Sequence, residues 1–133
     1  MITLEQARRI ISAGEAEANN QGQPMNIAVV DRGGNLVAFV RMDGAWMGSI
    51  DIAIKKAWTS TAFDIETKAL AKLSQPDQEF YGIHVSNGGE KVMIFAGGVP
   101  LMRNGTVLGA VGVSGGMGKQ DQAVAEAAAK AFS

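Results

Sequence analysis

The stretch from Thr106 to Phe132 constrains this chain more than any other. An apolar run, Thr106 to Val113, passes into Ser114-Gly115-Gly116 and then into an alanine-rich segment of helical spacing that ends near Phe132. Strand, glycine turn and helix in that order gather backbone N–H groups and one hydroxyl at a single point. Unpaired amides and the helix dipole both present positive charge there, so the point favours an anion or a polar ligand group. A similar pair, Gly97-Gly98, stands before Pro100 and the neighbouring extended run. Two glycine corners of this kind predict a small domain built around a pocket.

The 133 residues make one domain, residues 1–133, long enough to bury a core but too short for two ordinary domains. With 47% apolar and 19% charged residues, the chain reads as soluble and globular rather than disordered. So few charges leave part of the surface without polar cover, which predicts burial between subunits of a homo-oligomer. A net charge of −1 and no basic patch with interleaved aromatics speak against a nucleic-acid partner. The absence of cysteine excludes disulfides, thiolate catalysis, a Cys-ligated zinc site and covalent c-type haem attachment. No signal peptide and no membrane-spanning run is visible, so the expected location is cytoplasmic, with no membrane partner.

Local signals divide the chain into nine elements. Thr3 and Gln6 fit a capping box for a first helix, with Leu4, Ala7, Ile11, Gly14 and Ala18 on one face, closed by Asn19-Asn20-Gln21-Gly22. Ile27–Val30 and Leu36–Arg41 flank the turn cluster Asp31 to Asn35 as a β-hairpin. A helix from Ile50 to about Phe63, with Ser49 as N-cap, carries two apolar stripes. Ile50, Ala53, Ile54, Ala57 and Thr61 should face the sheet. Ile52, Thr59 and Phe63, with Lys56 among them, lie opposite and call for cover by another subunit or a ligand. Residues 64–74 look helical and stop before Pro76. Residues 75–90 are irregular. Val92–Phe95, Val99–Met102 and Thr106–Val113 read as three strands, the last two joined by the Asn104-Gly105 turn, and a helix runs from about Gln120 to Phe132. The order predicts an α/β (α+β) fold: a mainly antiparallel sheet of about five strands covered by helices.

Four segments carry a resemblance: Ala28-Val-Val-Asp-Arg-Gly-Gly-Asn-Leu-Val-Ala-Phe; Arg41-Met-Asp-Gly-Ala followed by Ser49-Ile-Asp-Ile-Ala-Ile-Lys-Lys-Ala-Trp-Thr; Ala96-Gly-Gly-Val-Pro-Leu; and Gly109-Ala-Val-Gly-Val-Ser-Gly-Gly with Gln120-Asp121. In this order they resemble the GlcG/HbpS-like family, also called the haem-degrading domain family, and the C-terminal part of PduO-type cobalamin adenosyltransferases. The resemblance covers nearly the whole chain. It implies a profilin-like layered fold, higher-order oligomers and a link to haem or corrinoid metabolism.

Each candidate residue has a functional and a plainer reading. His84, the single histidine, is the first choice of axial ligand were haem bound, and Phe80 and Tyr81 beside it suit a flat apolar ligand; otherwise it is a surface-loop histidine. Arg41 and Asp43 form either a polar pair at a pocket mouth, the guanidinium clamping a carboxylate, or a loop salt bridge. Lys56 is either a base or anion site of lowered pKa, or a stem laid on an apolar interface with its amine wet. Gly97 and Gly98 either border a ligand or let backbone approach closely. Ser114, Gly115 and Gly116 either bind an anion or make a tight turn in which Asp121 supports the helix start. Gly112 to Gly116 matches G-x-S-x-G letter for letter, but the hairpins argue against the parallel sheet that motif needs. No metal-site spacing is present.

Three functions remain open. The first is an oligomeric small-molecule-binding accessory protein for haem or another tetrapyrrole, with Phe63, Phe80, Tyr81 and Phe95 as apolar walls and Arg41, Lys56, Ser114 and the glycine amides as polar ends. The second is an enzyme acting on a small carbonyl or carboxylate metabolite, with Lys56, Asp43 or His84 moving protons. The third is a structural assembly without a ligand.

Overall fold

A computed structural model describes residues 1–132. The elements are α1 (Leu4–Gln21), β1 (Asn26–Asp31), β2 (Leu36–Arg41), α2 (Gly48–Phe63), α3 (Thr67–Leu73), two short 3-10 turns (Ile83–Val85 and Asn87–Gly89), β3 (Gly98–Arg103), β4 (Thr106–Ser114) and α4 (Gly118–Lys130). The strands form one sheet in the order β2-β1-β4-β3, antiparallel at every pairing. Helices α1 and α4 cover one face and α2 the other, so the chain is a three-layer α/β/α sandwich.

Strand alternation sorts the core into two halves. Ile27, Val29, Val111 and Val113 point toward α1 and α4, where they meet Ile10, Ile11, Val124 and Ala128. Ala28, Val30 and Ala110 point the other way, onto Ala53 and Ala57 of α2. The second set is small, and α2 therefore sits close to the sheet. Gly112 marks the nearest approach: a Cβ there would overlap the Ala53 carbonyl oxygen.

Most local signals hold. Thr3 and Gln6 make the capping box, with Gln6 N–H to Thr3 Oγ1 at 3.1 Å and Thr3 N–H to Gln6 Oε1 at 2.9 Å. Gly22 ends α1 in the left-handed conformation. Asn104 and Gly105, both at positive φ, turn β3 into β4.

Four expectations need correction. The sheet has four strands, because Val92–Phe95 is not one. Its backbone bonds to a side chain instead: Met93 N–H donates to Thr59 Oγ1 (2.9 Å), and that hydroxyl donates to the Lys91 carbonyl (3.2 Å). The same segment covers Thr59, so part of the second α2 stripe is buried by the chain's own residues rather than by another subunit; Phe63 stays exposed. Ser49 does not cap α2 but lies inside it, buried, with Met47 at the cap position. Helix α4 starts at Gly118 and ends at Lys130, leaving Phe132 beyond it, buried beneath the Arg103 guanidinium at 4.7 Å from the ring centre.

Gly112→Val should destabilise the fold by about 3 kcal/mol or more, because rigid helix backbone opposes the new atoms. Gly48→Ala, which meets open space, should change stability by less than about 0.5 kcal/mol. Urea unfolding of the two variants checks the contrast.

Candidate functional site

Where β4 ends and α4 begins, three elements converge on one ammonium group. Lys56 extends from α2 and is 1% exposed. Its Nζ donates to the Val113 carbonyl at 2.8 Å and to Asp121 Oδ2 at 2.9 Å. Asp121 lies in the first turn of α4 and is equally hidden. Its other oxygen, Oδ1, accepts from the Gly116 N–H at 2.8 Å. Gln120 Oε1 takes the Met117 N–H at 2.8 Å.

Burial shifts both charged groups toward neutrality. Loss of water is the largest effect on Lys56 and lowers its pKa, while the Asp121 charge and hydrogen bond oppose that shift. Loss of water likewise raises the pKa of Asp121, opposed by Lys56 and by the Gly115 and Gly116 amides. The expectation of a wet lysine amine is therefore corrected: Lys56 is buried, and the Asp121 carboxylate and the Val113 carbonyl stand in for most of its water.

The glycine corners provide the space. Gly97 has φ +122°, and a Cβ there would overlap the Val113 carbonyl and stand 2.9 Å from Lys56 Nζ. Its N–H donates to Gln122 Oε1 at 3.1 Å. The Gly98 N–H donates to Thr67 Oγ1 at 2.7 Å, with the Lys56 carbonyl oxygen directly above. These two glycines admit the lysine and α2; they do not line a ligand cavity. Gly115 packs on Pro24 and Met25. The helix-start amides of Gly116 and Met117 already serve side chains of α4, and this replaces the expected anion with the chain's own carboxylate.

A cleft of about 530 Å³ opens over this pair. Trp46, Ile52, Ile94, Phe95, Ala96 and Met117 give it apolar walls; Ser49, Lys56, Gln75, Ser114 and Asp121 supply the polar side chains. Of the residues singled out from sequence, Ile52, Lys56, Phe95, Ser114, Gly116 and Asp121 meet here. Arg41 and Asp43 line a different cleft of about 560 Å³ with Glu15, Gln23 and Pro24. Among the described residues no ion pair joins them; the Arg41 guanidinium donates to the Ala45 carbonyl at 3.4 Å. Phe63, Phe80, Tyr81 and His84 are exposed and line neither cleft. Ser114 ends an antiparallel strand, so the hydrolase geometry is absent. No cluster of three metal-ligating side chains exists among the described residues, and none of their helices is long and apolar enough to cross a membrane.

Sequence reasoning missed Trp46 and Ile94, and read Ser49 only as a helix cap. The signal within reach was Trp46-Met47, two large apolar residues in a loop, which a solvated loop does not need.

The family described as haem degrading protein HbpS-like matches residues 2–130. The chain belongs to the HbpS-like family. An uncharacterised 15.0 kDa protein of the dhaT-dhaS intergenic region of Citrobacter freundii is 41% identical over 132 residues, covering 99% of this chain and 92% of that one. The corrinoid adenosyltransferase PduO of the same organism is 34% identical over 131 residues; the match spans 98% of this chain but 39% of that protein. Among solved structures, a PduOC:heme complex superposes with TM-score 0.90 at 33% identity, covering 96% of this chain and 91% of that one. The GlcG/HbpS/PduO resemblance read from the four segments is thereby shown, with its layered antiparallel fold.

In this HbpS-like chain the carboxyl of Asp121 should titrate above the ordinary aspartate range. Lys56→Met removes the largest effects that pull it down and leaves the burial and the Gly115 and Gly116 amides, so the midpoint should move higher still. Since a raised folded pKa means the native state binds the extra proton, Asp121 adds stability as pH falls through that pKa and loses it as pH rises. Carbon-detected NMR of the Asp121 carboxyl in both proteins checks the direction.

Proposed function

We propose that this HbpS-like protein binds haem or a related tetrapyrrole in the cleft between α2 and the start of α4, as an accessory of catabolism or cofactor handling, and that it does so as a homo-oligomer. The observation that carries the reading is the cleft itself: concave, walled by aromatic and aliphatic side chains, and within the size range of small-molecule sites. The PduOC:heme complex, a protein of the same fold at 33% identity, supports the choice of ligand.

The residues present fit such a group. Trp46 and Phe95 offer flat faces at the mouth, 64% and 57% exposed as the chain stands alone. Met117 carries a thioether at the same mouth, a donor that haem iron accepts. Lys119 lines a shallow depression that shares Ala96 and Gly118 with the cleft, and is placed for a propionate. Bound haem would supply a redox-active iron; the chain's own contribution is apolar contact, exclusion of water and a cation at the rim. Trp46, Phe95 and Met117 are exposed apolar side chains around the mouth, which supports subunit contacts there.

Haem titration followed by visible absorbance tests this. Trp46→Ala and Phe95→Ala should each weaken binding by about tenfold, since each removes a large apolar contact. Met117→Ala should shift the Soret band, and His84→Ala should leave it in place. A spectrum that responds to His84→Ala and ignores all three cleft variants would move haem to the 80–85 loop and end this reading.

A further inference from the structure

We infer that the floor of this cleft is a hydrogen-bonding site for the uncharged carbonyl oxygen of a small molecule with an apolar body, such as an aldehyde, ketone or amide, held by Lys56, Ser49 and Ser114. The inference shares with the preceding section the premise that the cleft takes a ligand, but does not need haem.

Three nearly buried polar side chains have unused capacity at one place. Lys56 carries three N–H donors, and two are used, by the Val113 carbonyl and by Asp121. The third has no partner among the described residues, although the ammonium is 1% exposed and lines the cleft. Ser49 and Ser114, 4% and 5% exposed, line it too. Neither hydroxyl makes a hydrogen bond within the described chain. Three donors that line one cleft with no partner in the chain suit an acceptor oxygen from outside it.

The charge balance decides which oxygen. Lys56 and Asp121 form a neutral pair with 2.9 Å between Nζ and Oδ2. A carboxylate brought to the ammonium would also meet the Asp121 carboxylate, and in a buried site the repulsion offsets most of the attraction. The helix-start amides cannot tip the balance, because Gly116 and Met117 already donate to Asp121 and Gln120. An uncharged carbonyl takes the three donors without that penalty. Ile52, Ile94 and Phe95 then enclose the rest of the molecule.

Nitrogen–proton NMR of the whole protein, titrated with cyclohexanone, cyclohexanecarboxylate and cyclohexylammonium, tests the site. Cyclohexanone should shift the Ser114 and Gly116 amide signals saturably and bind at least about tenfold more tightly than either ion. Ser49→Ala and Ser114→Ala should each weaken the ketone by about three- to tenfold, the worth of one hydrogen bond. They avoid the unfolding that loss of Lys56 or Asp121 would risk. Tighter binding of the carboxylate makes the floor an anion site and overturns the inference. So does the absence of any shift, or serine variants that bind the ketone as well as the parent does. The haem reading is judged separately, from the Soret band of the unvaried protein without these probes, so either reading can fail alone.

Discussion

The Lys56–Asp121 ion pair is the contact on which the rest of the site depends. It joins α2, on one face of the sheet, to α4, on the other, across the end of β4. Two opposite charges out of water do little for net stability when intact, yet loss of one partner leaves the other stranded at a cost of about 3–5 kcal/mol. Such a contact specifies an arrangement more than it deepens the energy minimum. Here the arrangement is the spacing between the helix start and α2, and the cleft is what that spacing leaves open.

The small residues act on the same problem from the other side. Gly112 lets α2 lie against the sheet, and Gly97 leaves room for the lysine head. Thr59 then binds the backbone of residues 91–93, which carries Ile94 and Phe95 to the far wall of the cleft. The segment is tied to that hydroxyl rather than to a neighbouring strand, and it forms one wall of the cleft.

The local elements were legible from residue order because their causes are local. Thr3 and Gln6 are neighbours in the chain, and so are Asn104 and Gly105; caps and tight turns depend on a few consecutive dihedral angles. The site was legible in part. Lys56 stood out as a charge within an apolar stripe, and Ser114 to Gly116 stood out as a corner. Their meeting did not, since Asp121 lies 65 residues beyond Lys56 and no periodicity links them. Phe80, Tyr81 and His84 attracted attention as aromatic residues close in sequence, yet nearness along the chain brought them to neither of the two clefts.

Residue order alone therefore determined the helices, the two hairpins, the antiparallel sheet and membership of the HbpS-like family, all properties written in short windows or in the succession of motifs. Tertiary structure decided which glycines face a cavity, whether the lysine is wet or paired, and whether the helix start is free for an anion. Those outcomes depend on water being removed from groups that are distant in sequence, and desolvation is a property of the packed assembly of elements, not of any segment taken singly.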